Sequence, residues 1–275
     1  MGEQGDKETR SAGGTAPGSF ESLTRKQLDQ FAAEGFLAIP SLVSKAAIQE
    51  VRALLDPLFE HFDELPSRVR RDLGASDVSS GASVRSAEIN RPTLLNRRLK
   101  RSEVFRTCQA IAAQVAGRSV AYTFDHAIYK APLNQTETPW HQDHAYSGQR
   151  TPLRTVHFWI PLQDATLENG CMHFVPRSHL QGFKHHARHA NGHVLSATHV
   201  DSSRATACPL PIGGVTIHSP LTLHYTGPNT TPTIRGAWIV HFGPWGRAAK
   251  FFPRMLVERL GRPRRERPDA RPDHS

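Results

Sequence analysis

The chain has 275 residues, 38% of them hydrophobic, and carries 34 basic against 25 acidic side chains for a formal charge of +9. That length suffices for one large domain or two small ones with a real core. It contains no apolar run of about 18 residues to span a bilayer, and three isolated cysteines, Cys108, Cys171 and Cys208, exclude a disulfide scaffold.

The first twenty residues are mostly Gly, Ser, Thr and charge, and they read as a disordered N-terminus. The opening MGEQGDKETRSAGG has no apolar segment of the kind a secretory signal needs, and with unpaired cysteines this points to a cytoplasmic chain. Thr24 can cap a helix carrying Leu28 and Phe31, stopped by Gly35. FLAIP follows as a short strand. Ser44 caps a second helix, with Ile48, Val51, Leu54 and Leu55 at helical spacing. Residues 66–100 are weakly patterned and read as a long loop, and Glu103 to Ala116 reads as a third helix.

After Gly117 the texture changes. VAYTFDHAIY, RTVHFWIPL, CMHFV, VTIHS and IRGAWIVHF are short β-branched and aromatic runs broken by Pro, Gly and Asn. Strands so spaced, with no helices between them, indicate an antiparallel sandwich or barrel. The layout is a single domain over 21–250, mainly β with N-terminal α-helices. Residues 251–275 follow as a C-terminal segment ending in a basic Pro/Arg tail.

The basic excess is local. Residues 85–106 hold seven Arg or Lys against two acids, and residues 247–275 hold nine against four, leaving the body near neutral. Neither segment has the interleaved aromatics or the module of a nucleic-acid binder. A solvated helix face and a frayed tail account for them; the alternative is that 85–106 meets an anionic or carrier-linked substrate. The stretch KHHARHANGHVLSATH concentrates His185, His186, His189, His193 and His199, and reads as a solvated loop between strands. Gly213-Gly214 precedes a strand and lacks the GK[ST] of a phosphate loop, so it reads as a turn.

Trp140-His141-Gln142-Asp143 puts an imidazole and a carboxylate two residues apart, a spacing that places both on one face of a strand. A third ligand can come from GGVTIHSPLTLHYTGPNTTPTIRGAWIVHF, which offers His218 and His224. Two histidines and one carboxylate make the facial triad of non-haem iron oxygenases, which leaves positions open on the metal.

Four stretches together resemble the phytanoyl-CoA dioxygenase family of Fe(II)/2-oxoglutarate oxygenases over roughly residues 22–245. They are LTRKQLDQFAAEGFLAIPSLV, WHQD, ENGCMHFVPRSH and HSPLTLHYTGPNTTPTIR. ENGCMHFVPRSH departs from the family signature at Arg177, where glycine is usual. The resemblance implies a double-stranded β-helix, the jelly-roll or cupin-like barrel, with helices covering one sheet. It implies Fe(II) held by His141, Asp143 and His224, and Arg235 clamping the distal carboxylate of 2-oxoglutarate, with Thr226 donating to the same group. Gln142, Trp159 and His126 align with positions beside the cosubstrate. Trp140, His144 and Tyr146 follow the metal motif as candidates for the substrate pocket.

Halogenating relatives carry a small residue in place of the carboxylate, so Asp143 implies hydroxylation with O₂, releasing succinate and CO₂. Desaturation, epimerisation or ring formation are the alternatives within the same chemistry, and a non-catalytic small-molecule-binding barrel is the alternative outside it. The implied partner is a small-molecule substrate, with no nucleic acid and no membrane, for a monomer or homodimer.

Overall fold

Each long helix starts at a side-chain oxygen that its first turn can use. In the computed structural model, which describes residues 22–75, 85–147, 155–188 and 195–244, helix α1 (Arg25–Glu34) is capped reciprocally by Thr24 and Gln27. It ends at Gly35, whose φ of 84° is the left-handed conformation that a side chain resists. Ser44 caps α2 (Lys45–Glu60), and after the four-residue α3 (Pro92–Leu95), Ser102 caps α4 (Glu103–Ala116).

The strands are β1 (Phe36–Ile39), β2 (Arg70–Ala75), β3 (Arg85–Asn90), β4 (Val120–Lys130), β5 (Thr138–His141), β6 (Val156–Pro161) and β7 (Met172–Phe174). They continue as β8 (His186–Arg188), β9 (Leu195–Ala197), β10 (Thr206–Cys208), β11 (Val215–His218), β12 (His224–Thr226) and β13 (Arg235–Pro244). A one-turn helix, α5 (His144–Ser147), follows β5. All pairings are antiparallel. A seven-stranded sheet runs β1-β11-β6-β13-β4-β3-β2, and a four-stranded sheet runs β10-β7-β12-β5. The two face each other as a jelly roll, the architecture the family resemblance implies.

Side-chain alternation divides the large sheet between two cores. Leu37, Phe158, Ile160, Ile217, Trp238, Val240 and Phe242 point outward and bury against α2 and α4. Full burial of each such side chain contributes roughly 1.5–3 kcal/mol, which explains why the helices lie on this face. Phe36, Trp159, Ala237 and Ile239 point inward and meet Cys171, Met172, Phe174 and Cys208 of the small sheet and its approach. Between these sheets lies the cavity.

Two expectations are corrected. Residues 66–100 are not one long loop: β2 and β3 form a hairpin whose inner strand pairs with β4 and widens the large sheet. The histidine-rich stretch is likewise not a plain solvated loop, since β8 and β9 pair within it. The N-terminal residues 1–20, the segment 251–275, most of the basic tail, and His189 and His193 lie outside the described residues. Among the described residues, no helix is long and apolar enough to cross a membrane.

Candidate active site

The small sheet builds the centre. His224 on β12 stands directly opposite His141 on β5, with ring centroids 4.0 Å apart. Between this pair and Thr226–Thr138 the register shifts, since β5 spends three residues where β12 spends two. That bulge brings both Thr138 and His141, three residues apart, to the cavity, while Trp140 beside His141 faces outward. Asp143 does not share a strand with His141, as the two-residue spacing suggests. It sits in the turn after β5, where Ala145 N–H donates to the Gln142 carbonyl and Tyr146 N–H to that of Asp143. The turn delivers the carboxylate to the same point: Asp143 Oδ1 lies 3.4 Å from His141 Nε2 and 3.5 Å from His224 Nε2.

Hydrogen bonds fix both ring tautomers. His141 Nδ1 donates to the Pro139 carbonyl at 2.8 Å, and His224 Nδ1 donates to the Thr222 carbonyl at 2.9 Å. Each Nε2 lone pair is therefore directed at the shared space with Asp143, as metal-ligating histidines require. Burial, then the facing His224, lowers the His141 pKa and keeps that ring neutral. Burial alone raises the Asp143 pKa, but the neighbouring His224 and His141 rings and the hydrogen bonds from His157 and His218 hold it well below the usual carboxylate range.

His141, Asp143 and His224 form one of two groups among the described residues with donor atoms close enough for one ion; the other is Asp143, His157 and His241. The second group is a poor cage. Its two imidazoles stack at 3.5 Å and only 6° from parallel, so their in-plane lone pairs run side by side and do not converge. The first group has oxygen and nitrogen donors on one side only, which suits a divalent transition metal with open positions.

Arg235 closes the other end of the same cavity, which is also lined by His126, Ile128, Trp159, Met172, His218, Thr226 and Ile239. Its guanidinium is 1% exposed, lies 5.7 Å over the Trp159 ring and makes no ion pair among the described residues; Nε has no hydrogen-bond partner. Burial lowers its pKa to about 10, so it remains charged at neutral pH. Burying an ion costs several kcal/mol unless an opposite charge meets it, and the cavity is where an anion can do so. Beside it, Lys130 Nζ donates to Thr226 O at 3.2 Å, Thr226 Oγ1 at 3.0 Å and Gly227 O at 2.6 Å. Burial, then the Arg235 charge, lowers the Lys130 pKa well below the ordinary lysine value.

Several expected contacts are absent from this cavity. Gln142 spends its whole amide on backbone: Nε2 donates to Gly182 O at 2.8 Å and Leu221 O at 2.7 Å, and Oε1 accepts from Lys184 N–H at 2.8 Å. It ties loops together and does not reach the cosubstrate end. Trp140 stacks on Tyr225 on the outer side of the small sheet. His144 is buried edge-on against Phe183, also outside the cavity. Tyr146 stays near the centre, edge-on to His141 at 5.6 Å and 43% exposed.

Sequence reasoning missed His157, Lys130 and Glu88, and cast His218 only as a neighbour. His157 Nδ1 and His218 Nε2 reach Asp143 Oδ2 at 2.7 and 3.0 Å. Glu88 takes His126 Nδ1 at 2.7 Å. His186, from the supposed loop, accepts the Gln142 N–H at 3.0 Å and so supports the metal motif from behind.

A family model for phytanoyl-CoA dioxygenase matches residues 31–237. The chain belongs to the phytanoyl-CoA dioxygenase family. A phytanoyl-CoA dioxygenase domain-containing protein 1 homolog from Dictyostelium discoideum is 29% identical over 123 residues, 42% of this chain and 43% of that protein. A phytanoyl-CoA dioxygenase from Arabidopsis thaliana is 26% identical over 192 residues, 58% of this chain and 66% of that one. The matches thus span about half the length of these relatives, from 43% to 66%. Among solved structures, EvdO2 from Micromonospora carbonacea var. aurantiaca, complexed with 2-oxoglutarate, superposes with a TM-score of 0.69 at 29% identity, covering 82% of this chain and 92% of that one. The non-haem α-ketoglutarate-dependent carbocyclase SnoK from nogalamycin biosynthesis shares the fold at TM-score 0.63 and 24% identity, over 83% and 87% of the two chains.

The family background gives Arg177 a physical meaning. Its φ is 64°, in the left-handed region where glycine is at ease, so this chain carries a side chain at a position built for none.

Proposed function

We propose that this phytanoyl-CoA dioxygenase family member is an Fe(II)- and 2-oxoglutarate-dependent dioxygenase that hydroxylates a small molecule, releasing succinate and CO₂. The observation that carries the reading is Arg235. A buried guanidinium with no ion pair among the described residues and a His-Asp-His group open onto one cavity, which suits a ligand with a chelating end and an anionic end. The donor set fits a resident iron: two imidazoles whose Nε2 atoms face the shared space and one ionised carboxylate.

When bound, iron with 2-oxoglutarate supplies the oxidising chemistry, coupling cosubstrate decarboxylation to insertion of an oxygen atom from O₂ into a substrate C–H bond. The chain's own residues bind and orient. His141, Asp143 and His224 hold the metal from one side. Arg235 pairs with the distal carboxylate of the cosubstrate, and Thr226, whose hydroxyl oxygen already accepts from Lys130, has its proton left to donate to the same group. Trp159 walls this end.

His126 belongs to the substrate side. It sits four residues along β4 from Lys130, the residue directly opposite Arg235, and so at the far end of the cavity from the clamp. With Nδ1 tied to Glu88, it offers Nε2 to a polar group of the substrate. Within the basic stretch, Arg97, Arg98, Arg101 and Arg106 are exposed on and beside α4, whose buried residues pack against the outward face of the large sheet, so these four do not face the cavity. The small-molecule class is as far as the site points.

Anaerobic addition of Fe(II) and then 2-oxoglutarate to the metal-free protein tests the reading. A weak visible charge-transfer band that needs both additions, and disappears in His224→Ala, is the expected result. Asp143→Ala should leave a folded protein without 2-oxoglutarate turnover. No band, together with loose iron binding, overturns the assignment in favour of a small-molecule-binding barrel.

A further inference from the structure

Asp143 has two oxygens with different surroundings. Oδ1 faces the Nε2 atoms of His141 and His224, at 3.4 and 3.5 Å. Oδ2 faces away from them and meets two further imidazoles, His157 Nδ1 at 2.7 Å and His218 Nε2 at 3.0 Å. Both rings are almost fully buried, at 3% and 1% exposure. They come from adjacent strands of the large sheet, where His157 and His218 are cross-strand partners, whereas the ligand they touch hangs from the small sheet.

We infer that His157 and His218 are positioning residues that hold Asp143 as a one-point ligand, reserving Oδ1 for the metal and committing Oδ2 to hydrogen bonds. The inference rests on the iron-binding reading above. A carboxylate that swung round to offer both oxygens would strip two buried N–H groups of their acceptor and leave both desolvated and unpaired. It would also fill a position on the metal that a chelating cosubstrate and O₂ need.

The donors are themselves fixed. His157 Nε2 lies 3.1 Å from the Thr155 hydroxyl, which donates to it and leaves the ring proton on Nδ1, facing Asp143. His241, the cross-strand partner of His157 on the other side, stacks on it face to face at 3.5 Å. Phe174 backs His218 at 5.4 Å. The orientation of both rings, and for His157 the tautomer, are therefore set before metal arrives.

The test uses Co(II) as a visible probe on the metal-free full chain, with circular dichroism and a thermal melt on every variant. His157→Ala and His218→Ala should each weaken Co(II) binding about 10–100-fold. Asn at 157 carries its amide nitrogen where Nδ1 stood, and Gln at 218 reaches where Nε2 stood. So His157→Asn and His218→Gln should restore binding to within about threefold of the unaltered chain, whereas His157→Phe, which keeps the volume, should not. His241→Phe preserves the stack and should leave binding unchanged. Unaltered Co(II) affinity in folded His157→Ala and His218→Ala overturns the inference while the iron reading stands. Loss of binding in His241→Phe overturns it by moving the metal to the neighbouring group. An unaltered chain that takes up no Co(II) removes the iron reading and this inference together.

Discussion

Lys130 Nζ and Thr226 Oγ1 lie 3.0 Å apart across the cavity, joining the strand opposite Arg235 to the strand that carries His224. The lysine occupies the hydroxyl as an acceptor, so the hydroxyl proton has only the cavity to point into. Lys130→Met keeps the length of the side chain and removes the donor. It should raise the 2-oxoglutarate concentration for half-saturation by about tenfold, one hydrogen bond to a charged group being worth roughly 1.5–3 kcal/mol, with Co(II) affinity unchanged. Thr226→Val should do the same, and the double variant should fall short of the product because the two act as one unit. Equal losses in metal and cosubstrate binding would refute this division of labour.

Arg235 is held where folding gains little from it, buried and without an ion pair among the described residues. Arg235→Met removes the desolvation cost and fills most of the space. Thermal unfolding of the metal-free protein should shift upward by about 1 kcal/mol or more, while 2-oxoglutarate no longer perturbs the Fe(II) protein. Destabilisation by this substitution would mean that the guanidinium is satisfied within the fold itself.

Asp125 anchors the helical layer. Its carboxylate accepts from Thr93 N–H at 3.2 Å, Thr93 Oγ1 at 2.9 Å, Tyr122 Oη at 2.6 Å and Trp238 Nε1 at 3.1 Å. Burial raises its pKa against the pull of these donors. Asp125→Asn turns one acceptor into a donor facing donors, and urea denaturation should show a loss of about 1–3 kcal/mol. An unchanged midpoint would indicate that the native carboxyl is protonated.

Arg177 pays for its left-handed backbone with strain of roughly 1–3 kcal/mol. Glycine relieves it but returns about 0.4–1 kcal/mol of freedom to the unfolded chain. Arg177→Gly should therefore stabilise modestly, by about 1 kcal/mol, the net of those two effects, read from the same urea curves. A loss of stability would show that the Arg177 side chain has contacts outweighing the strain.

The grouping of His141, Asp143 and His224 is anticipated through the family resemblance, which chose His224 over His218; the two-residue spacing alone puts Asp143 on the strand, whereas it lies in the turn after β5. The three long helices are legible, two of them from the caps Thr24 and Ser44 and the third from its helical spacing, whereas the short Pro92–Leu95 helix is not. What sequence hides is facing. Trp140 follows from alternation with His141, but the bulge that also turns Thr138 to the cavity has no local pattern to signal it. Gln142 looks like a site residue by position, yet three backbone groups from distant loops claim it. His157 is one of sixteen histidines, and only the pairing of β6 with β11 places it behind Asp143. The β2–β3 hairpin escapes because RRDLGA and RSAEIN lack the β-branched alternation of a self-evident strand.

Among the described residues β5 is the outermost strand of its sheet, paired along one side only, through β12. An ion shared by His141 and His224 would rivet that border to its neighbour through side chains, in addition to the ladder. Chelation should accordingly fray this border before any other part of the barrel. Deuterium uptake at Trp140 and His141 would then report metal loading in a chain whose overall fold is unchanged, and prolonged storage without metal should seed aggregation from this border once it frays.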